Sequence, residues 1–98
     1  MIGDHVRLDA FGPKTFRNVG ICSGAAAFLI PEARQLGIEA FITGEPRHSF
    51  YHFTKEEGMH LYYGMHYDTE KIGLMALANH LDELFSLPVE FFDIPTKI

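Results

Sequence analysis

The sequence has one cysteine, few basic residues and no long hydrophobic run, and each scarcity excludes a class of protein. With Cys22 alone, an internal disulfide is impossible, so we expect a reducing, cytoplasmic setting. The 8 Lys and Arg are scattered and outnumbered by 13 Asp and Glu, so we expect no nucleic-acid partner. No stretch approaches the about 20 apolar residues that cross a bilayer, and the first eleven residues lack a signal-peptide pattern, so we expect no membrane partner.

The 98 residues, of which 47% are hydrophobic, are predicted to form a single α/β domain over 1–98. Short apolar runs alternate with helical patterns in the order β-α-β-α-β-α-β. This order implies a mainly parallel sheet of about four strands, covered by helices. Val6 and Leu8 alternate with charged residues and suggest a further short edge strand. The predicted strands are 18–22, 38–43, 59–65 and 88–94, and the predicted helices are 25–36, 46–57 and 69–85.

The last helix has the clearest amphipathic pattern, with apolar residues recurring at helical spacing up to Phe85. We expect Leu81 to face the sheet from this helix. Asp68 or Thr69 is the predicted N-cap, which places Glu70 in the first turn. Pro31, in the first helix, indicates either a kink or a helix that begins there.

Polar side chains follow two of the predicted strands at the point where each strand ends. Because ligands bind beyond the carboxyl ends of parallel strands, Glu45, His48, His66 and Glu70 are expected to converge at one edge. Imidazoles and carboxylates are metal ligands and acid/base groups, so His66 and Glu70 are predicted metal ligands. Glu45 and His48 are candidates for the same cleft. The competing interpretation is a strand-end histidine beside a helix-start glutamate.

Three other features of the sequence are weaker indications of a functional site. His48 and His52 are four residues apart and would share a helix face, but aromatic residues surround them. The turn GICSGAA at 20–26 is built from small residues that let backbone amides approach a phosphate, yet it lacks both common phosphate-loop patterns. Cys22 lies at a helix start and has no identifiable partner as a nucleophile.

Three segments resemble the carboxyl-terminal half of the Nif-three-like family, also labelled GTP cyclohydrolase I type 2 homologs. They are AFITGE at 40–45, GMHYDTE at 64–70 and VEFFDIP at 89–95. The resemblance implies an α/β protein that binds a pair of metal ions and forms ring-like hexamers. The family's H-x-x-[ST]-E ligands match His66 and Glu70, and its T-G-[DE] acid matches Glu45. The family usually has Gly where this chain has Met65.

The resemblance also implies a missing half-site, because the family's amino-terminal half supplies a His-His pair and an Asp. We therefore expect a fragment, a shortened relative, or a site completed by another chain. The leading hypothesis is a metal-binding domain, as part of a dinuclear hydrolase, that holds zinc, manganese or iron weakly. One alternative is a non-enzymatic homo-oligomeric assembly module, and another is a small nucleotide-binding domain. The sequence identifies no small-molecule substrate.

Overall fold

The computed structural model describes residues 5–98, and its centre is a mixed four-stranded sheet in the order β1-β4-β3-β2. The strands β2 (Val19–Ile21), β3 (Ala40–Thr43) and β4 (His60–Tyr63) are parallel. Strand β1 (Arg7–Ala10) pairs antiparallel with β4. The sheet is therefore mixed, and its edge strand is the one suggested by the alternation around Leu8.

Helices α1 (Ile30–Gln35) and α2 (Tyr51–Glu57) connect the three parallel strands. Each is preceded by a single 3-10 turn, so both helices are shorter than predicted. Pro31 lies in the first turn of α1, where its missing N–H costs nothing, so the helix begins there and does not kink. Helix α2 ends at Gly58, whose left-handed φ of 71° favours glycine.

Helix α3 (His66–Phe85) leaves the sheet, and the carboxyl-terminal segment, residues 87–98, folds back along it. The strand predicted at 88–94 is wrong, since that segment of the described chain pairs with no strand of the sheet. Its alternating apolar residues line a hollow along α3 and do not join the sheet. Tyr67 fixes the return, because its hydroxyl donates to Asp93 Oδ1 (2.7 Å) and accepts from the Ile94 N–H (2.8 Å).

One face of the sheet carries the core, and both α1 and α2 cover it. Right-handed crossovers that step from β2 to β3 to β4 place successive helices on the same side. The buried cluster comes from both layers: Ala27, Ile30, Ala33, Phe41, Met59, Leu61 and Tyr63. The helices thus bury one face only.

The opposite face of the sheet is apolar and only partly covered. Its central row crosses all four strands through Leu8, Tyr62, Ile42 and Ile21, which are register partners. The two edge residues are exposed, Leu8 at 48% and Ile21 at 75%, whereas the central Tyr62 and Ile42 are half-buried. Sheets of parallel strands are usually covered on both faces. Among residues 5–98, helices α1 and α2 both pack on the other face, and neither covers this one.

His60 is the polar exception on that face, and the loop before β2 covers it. Its Nδ1 accepts from the Gly12 N–H (3.3 Å), so its Nε2 donates to the Pro13 carbonyl (2.6 Å). The ring also packs against Phe16, with centroids 5.2 Å apart. This strand histidine therefore serves packing.

Leu81 does not face the sheet: it is half-buried against the carboxyl-terminal segment, beside Val89 and Phe91.

The leucine that anchors the core is Leu61, whose side chain is fully buried. We expect Leu61→Ala to lower the free energy of unfolding by about 2–5 kcal/mol. Leu81→Ala should cost less than about 1 kcal/mol, because much of its cavity would be open to water. Urea denaturation of both variants checks this, and equal losses would contradict it.

Candidate functional site

The three strand-to-helix junctions meet at the carboxyl edge of β2, β3 and β4, and Gly24 lies where they touch. Its carbonyl accepts from the Gly44 N–H (2.9 Å), the Glu45 N–H (3.3 Å) and the Thr43 hydroxyl (3.3 Å). Its N–H donates to Thr69 Oγ1 (3.0 Å) at the start of α3. One residue therefore joins all three junctions.

Close packing explains why this residue is glycine. Gly24 has a φ of 73°, and a Cβ there would collide with the Glu70 carboxylate and lie 3.3 Å from His66 Nε2. Gly44 is equally constrained, since its Cβ would lie 2.8 Å from His66 Cα. The two glycines allow the backbone to approach the acidic and imidazole side chains.

His66 sits between two carboxylates at this edge. Its Nδ1 lies 2.6 Å from Glu45 Oε1, and its Nε2 lies 3.2 Å from Glu70 Oε1. Because an ionised carboxylate can only accept, Nδ1 carries the proton that binds Glu45. In the neutral ring, Nε2 then presents its lone pair to a carboxylate oxygen. That arrangement is repulsive unless a proton or a cation lies between the two atoms.

The pKa of His66 reflects its position between the two carboxylates. The hydrogen bond to Glu45 raises the pKa of His66 above its ordinary value, and the charge of Glu70 adds to the rise. Partial removal of water from the ring opposes the shift. The carboxylates therefore favour a positive charge at Nε2, whether it comes from a proton or from another cation.

Met65 sets the direction in which His66 enters the site. It has φ 73° and ψ 143°, a backbone conformation that is strained for any residue other than glycine. This strain falls at the position where the resembling family usually has Gly. The left-handed turn redirects the chain from β4 into α3, so that His66 opens the helix at the sheet edge.

Two details of the predicted helix start are wrong. Helix α3 begins at His66, so Glu70 lies in its second turn, and the acidic residue of the first turn is Asp68. Thr69 does not cap the helix: its hydroxyl donates back to the Met65 carbonyl (2.8 Å) and accepts from Gly24. The threonine therefore attaches α3 to the neighbouring junction.

The predicted site residues divide into two groups. Glu45, His66 and Glu70 come together as expected. His48 lines a different hollow, beside β1, because the 3-10 turn after Glu45 carries it in that direction. Within residues 5–98, no group of three or more His, Cys, Asp or Glu side chains is arranged to hold a metal ion.

Among the residues that the structure describes, no helix is long and apolar enough to cross a membrane.

Cys22 is half-buried against the core, and its N–H donates to the Ile42 carbonyl (2.9 Å). This environment favours a packing role for the cysteine.

The fold and the site define a mixed α/β domain that gathers one imidazole and two carboxylates at a sheet edge. Comparison with known proteins identifies the class: residues 1–97 match the Duf34/NIF3 (NGG1p interacting factor 3) family, and the chain belongs to it. The resemblance noted in the sequence is therefore confirmed.

Similar proteins support the assignment. The chain is 40% identical over 88 residues to a GTP cyclohydrolase 1 type 2 homolog of Archaeoglobus fulgidus, covering 90% of this chain and 36% of that protein. It is 42% identical over 91 residues to the homolog of Treponema pallidum, covering 93% and 32%. The chain thus spans about a third of the length of these curated relatives.

Solved structures agree. The crystal structure of TTHA1606 from Thermus thermophilus superposes with a TM-score of 0.88 at 38% identity, covering 99% of this chain and 39% of that one. Protein ybgI, described as of unknown function, superposes with a TM-score of 0.86 at 35% identity, covering 95% and 38%. The described fold is therefore that of a portion of the larger family protein.

The contact between Gly24 and the two site side chains can be tested by a matched pair of variants. Gly37 has a similar φ of 79°, but a Cβ there would meet nothing within 4 Å. Both Gly24→Ala and Gly37→Ala should therefore incur the left-handed backbone cost of about 1 kcal/mol. Gly24→Ala should lose at least about 1 kcal/mol more, a cost typical of overpacking. Equal losses in thermal denaturation would show that Gly24 has room for a methyl group.

Proposed function

We propose that this domain supplies one half of a divalent-metal site, through His66 Nε2 and Glu70. The observation that carries the proposal is the 3.2 Å approach of His66 Nε2 to Glu70 Oε1. In the neutral ring this contact brings two lone pairs together, and a bound cation would relieve the repulsion. Two ligand atoms each about 2.0–2.2 Å from one zinc ion lie about 3–3.5 Å apart. The observed separation fits that requirement.

Glu45 acts in this proposal through His66. A metal-binding imidazole commonly donates its other N–H to a carboxylate, which fixes the tautomer and the ring orientation. Glu45 Oε1 occupies that place at 2.6 Å from Nδ1. We therefore assign Glu45 as a positioning residue, in preference to a ligand or a proton carrier.

Two donors do not complete a site, since catalytic zinc takes three protein ligands and structural zinc takes four. The remaining ligands would come from another chain, or from a part of the protein that its longer relatives possess. A divalent metal ion held there would supply Lewis-acid chemistry for hydrolysis of a small molecule. Zinc, manganese and iron all accept imidazole and carboxylate ligands, so the donor set does not select among them.

The metal proposal predicts a specific pattern in isothermal titration of zinc and of manganese. The wild type should bind weakly, and His66→Ala should abolish binding. Glu45→Gln should weaken binding by about 10- to 100-fold, as expected for loss of an orienting carboxylate. His80→Ala is the matched control, since His80 is exposed in the middle of α3. Equal affinities in wild type and His66→Ala would refute the proposal.

Metal binding in the same titration is expected to weaken as the pH falls. A metal ion needs neutral Nε2, and the pKa of His66 is raised by Glu45. Protons should therefore begin to displace metal as the pH falls through a value above the about 6.5 of an ordinary imidazole. Glu45→Gln removes the principal cause of the raised pKa, so the loss of binding should move to lower pH. A pH profile that Glu45→Gln leaves unmoved would argue against the positioning role.

A homo-oligomeric assembly module is the second candidate, and the open sheet face favours it. The row Leu8, Tyr62, Ile42 and Ile21 forms an apolar surface across the mixed sheet. Contiguous exposed apolar patches of a few hundred Å2 commonly mark interfaces. A second copy would supply the missing layer. Assembly and metal binding are compatible, because the face and the edge are different surfaces.

Light scattering across a concentration series tests the assembly proposal. Wild type should self-associate, whereas Ile21→Asp should be monomeric, because the carboxylate would have to be buried without a partner. Phe28→Asp is the control: Phe28 is 62% exposed and lies in the 3-10 turn before α1, in the helical layer. A monodisperse wild-type monomer at high concentration would contradict the proposal.

The nucleotide-binding alternative has less support. A phosphate cradle needs free backbone N–H groups, but those of Gly24 and Ala26 already donate to Thr69 and Thr43. Three hydrogen bonds also occupy the Gly24 carbonyl. The small residues of this turn are accounted for by close packing between the junctions.

A further inference from the structure

A small hollow of about 190 Å3 opens beside β1 at the same sheet edge, and basic side chains line it. Arg7 is the first residue of β1, and Arg47 and His48 lie in the turn after β3. These residues are up to 41 positions apart in sequence. The fold therefore gathers two of the 8 Lys and Arg, together with a histidine, in a chain whose net charge is −5.

The acidic side chain that lines this hollow is already engaged. Asp9 accepts from Arg7 Nε (3.0 Å) and Nη2 (3.2 Å), and its side chain is 10% exposed. The Arg7 side chain is 54% exposed, so the guanidinium keeps further N–H groups for a ligand. Within residues 5–98, no ion pair involves Arg47 or His48. The hollow thus holds an excess of positive charge.

Tyr63 adds a neutral donor to the wall. It pairs with Arg7 across the ladder, and burial together with the nearby Asp9 raises its pKa to about 12. Its phenol therefore stays protonated near neutral pH. Guanidinium groups bind phosphate oxygens through charge-assisted hydrogen bonds, and the phenol that lines the same hollow can add a neutral one.

This hollow adjoins the candidate metal edge. Arg7, Pro46 and Tyr63 also line a neighbouring hollow of about 340 Å3, whose wall includes Glu45 and Met65. A bound molecule can therefore extend from the basic hollow toward the residues beside His66.

We propose that the basic hollow binds the phosphate group of a small-molecule substrate, whose reacting part lies at the His66 edge. The inference rests on the proposed function, because it assigns the substrate class of that same site. Phosphate is preferred to carboxylate because Arg7 and Arg47 approach from different elements, and a phosphate group presents three oxygens to them.

Nuclear magnetic resonance titration of metal-depleted protein tests the subsite without the metal. Sodium phosphate and sodium acetate are titrated separately at constant ionic strength, and the backbone amide shifts are followed. Phosphate should give saturable shifts at Arg47, His48 and Tyr63, and acetate should bind more weakly. Arg47→Gln and His48→Gln should each weaken phosphate binding, Arg47→Gln by about fivefold or more, as loss of a charged hydrogen bond at an exposed site implies.

Arg17→Gln is the matched control, since it removes the same charge from an exposed position before β2, at the opposite end of the sheet. It should leave phosphate affinity unchanged. Equal weakening by Arg17→Gln and Arg47→Gln, shifts confined to other residues, or equal affinity for acetate would overturn the inference. Metal titration of the same samples separates the two proposals: phosphate binding without metal binding refutes the metal site alone, and the reverse refutes the phosphate subsite alone.

Discussion

The packing of Gly24 against the other two junctions is the constraint on which the site depends. Its carbonyl receives three donors from the end of β3, and its N–H binds Thr69 in α3. These bonds join segments that are about 20 and 45 residues apart in sequence and that the parallel strands bring to one edge. His66 and Glu70 are held near Glu45 because the backbone between them cannot separate without breaking these bonds.

The topology explains why the edge is rich in polar groups while one face stays bare. Two successive right-handed crossovers place α1 and α2 on the same side of the sheet. Helix α3 follows the strained turn at Met65 and leaves the strands, so it does not cover the other side. The result is one buried face, one open apolar face, and an edge that presents polar side chains from several segments.

Much of this arrangement follows from local sequence. AFIT at 40–43 forms a strand, Gly58 ends α2, and Pro31 starts α1, because each residue has a strong local preference. The convergence of Glu45 with His66 also follows, since carboxyl ends of parallel strands must meet. The antiparallel place of β1 beside β4 does not follow, because strand pairing at a sheet edge is decided by distant partners. Sequence reasoning therefore missed Arg7 and Arg47 as neighbours, and it took 88–94 for a strand on its apolar alternation alone.

The departure of α3 from the sheet has a consequence for how the molecule fluctuates. None of the described residues His66–Phe85 is fully buried, and the far end of α3 is supported mainly by the returning segment that Tyr67 ties down. Local opening costs least where few apolar groups are buried. Protection of backbone amides against exchange with solvent should therefore decline along α3 from Thr69 toward Phe85, while β3 and β4 remain protected up to global unfolding. His66 and Glu70 lie at the end of α3 where exchange should be slowest. The distal turns can therefore open, or bind another surface, while these two side chains keep their positions.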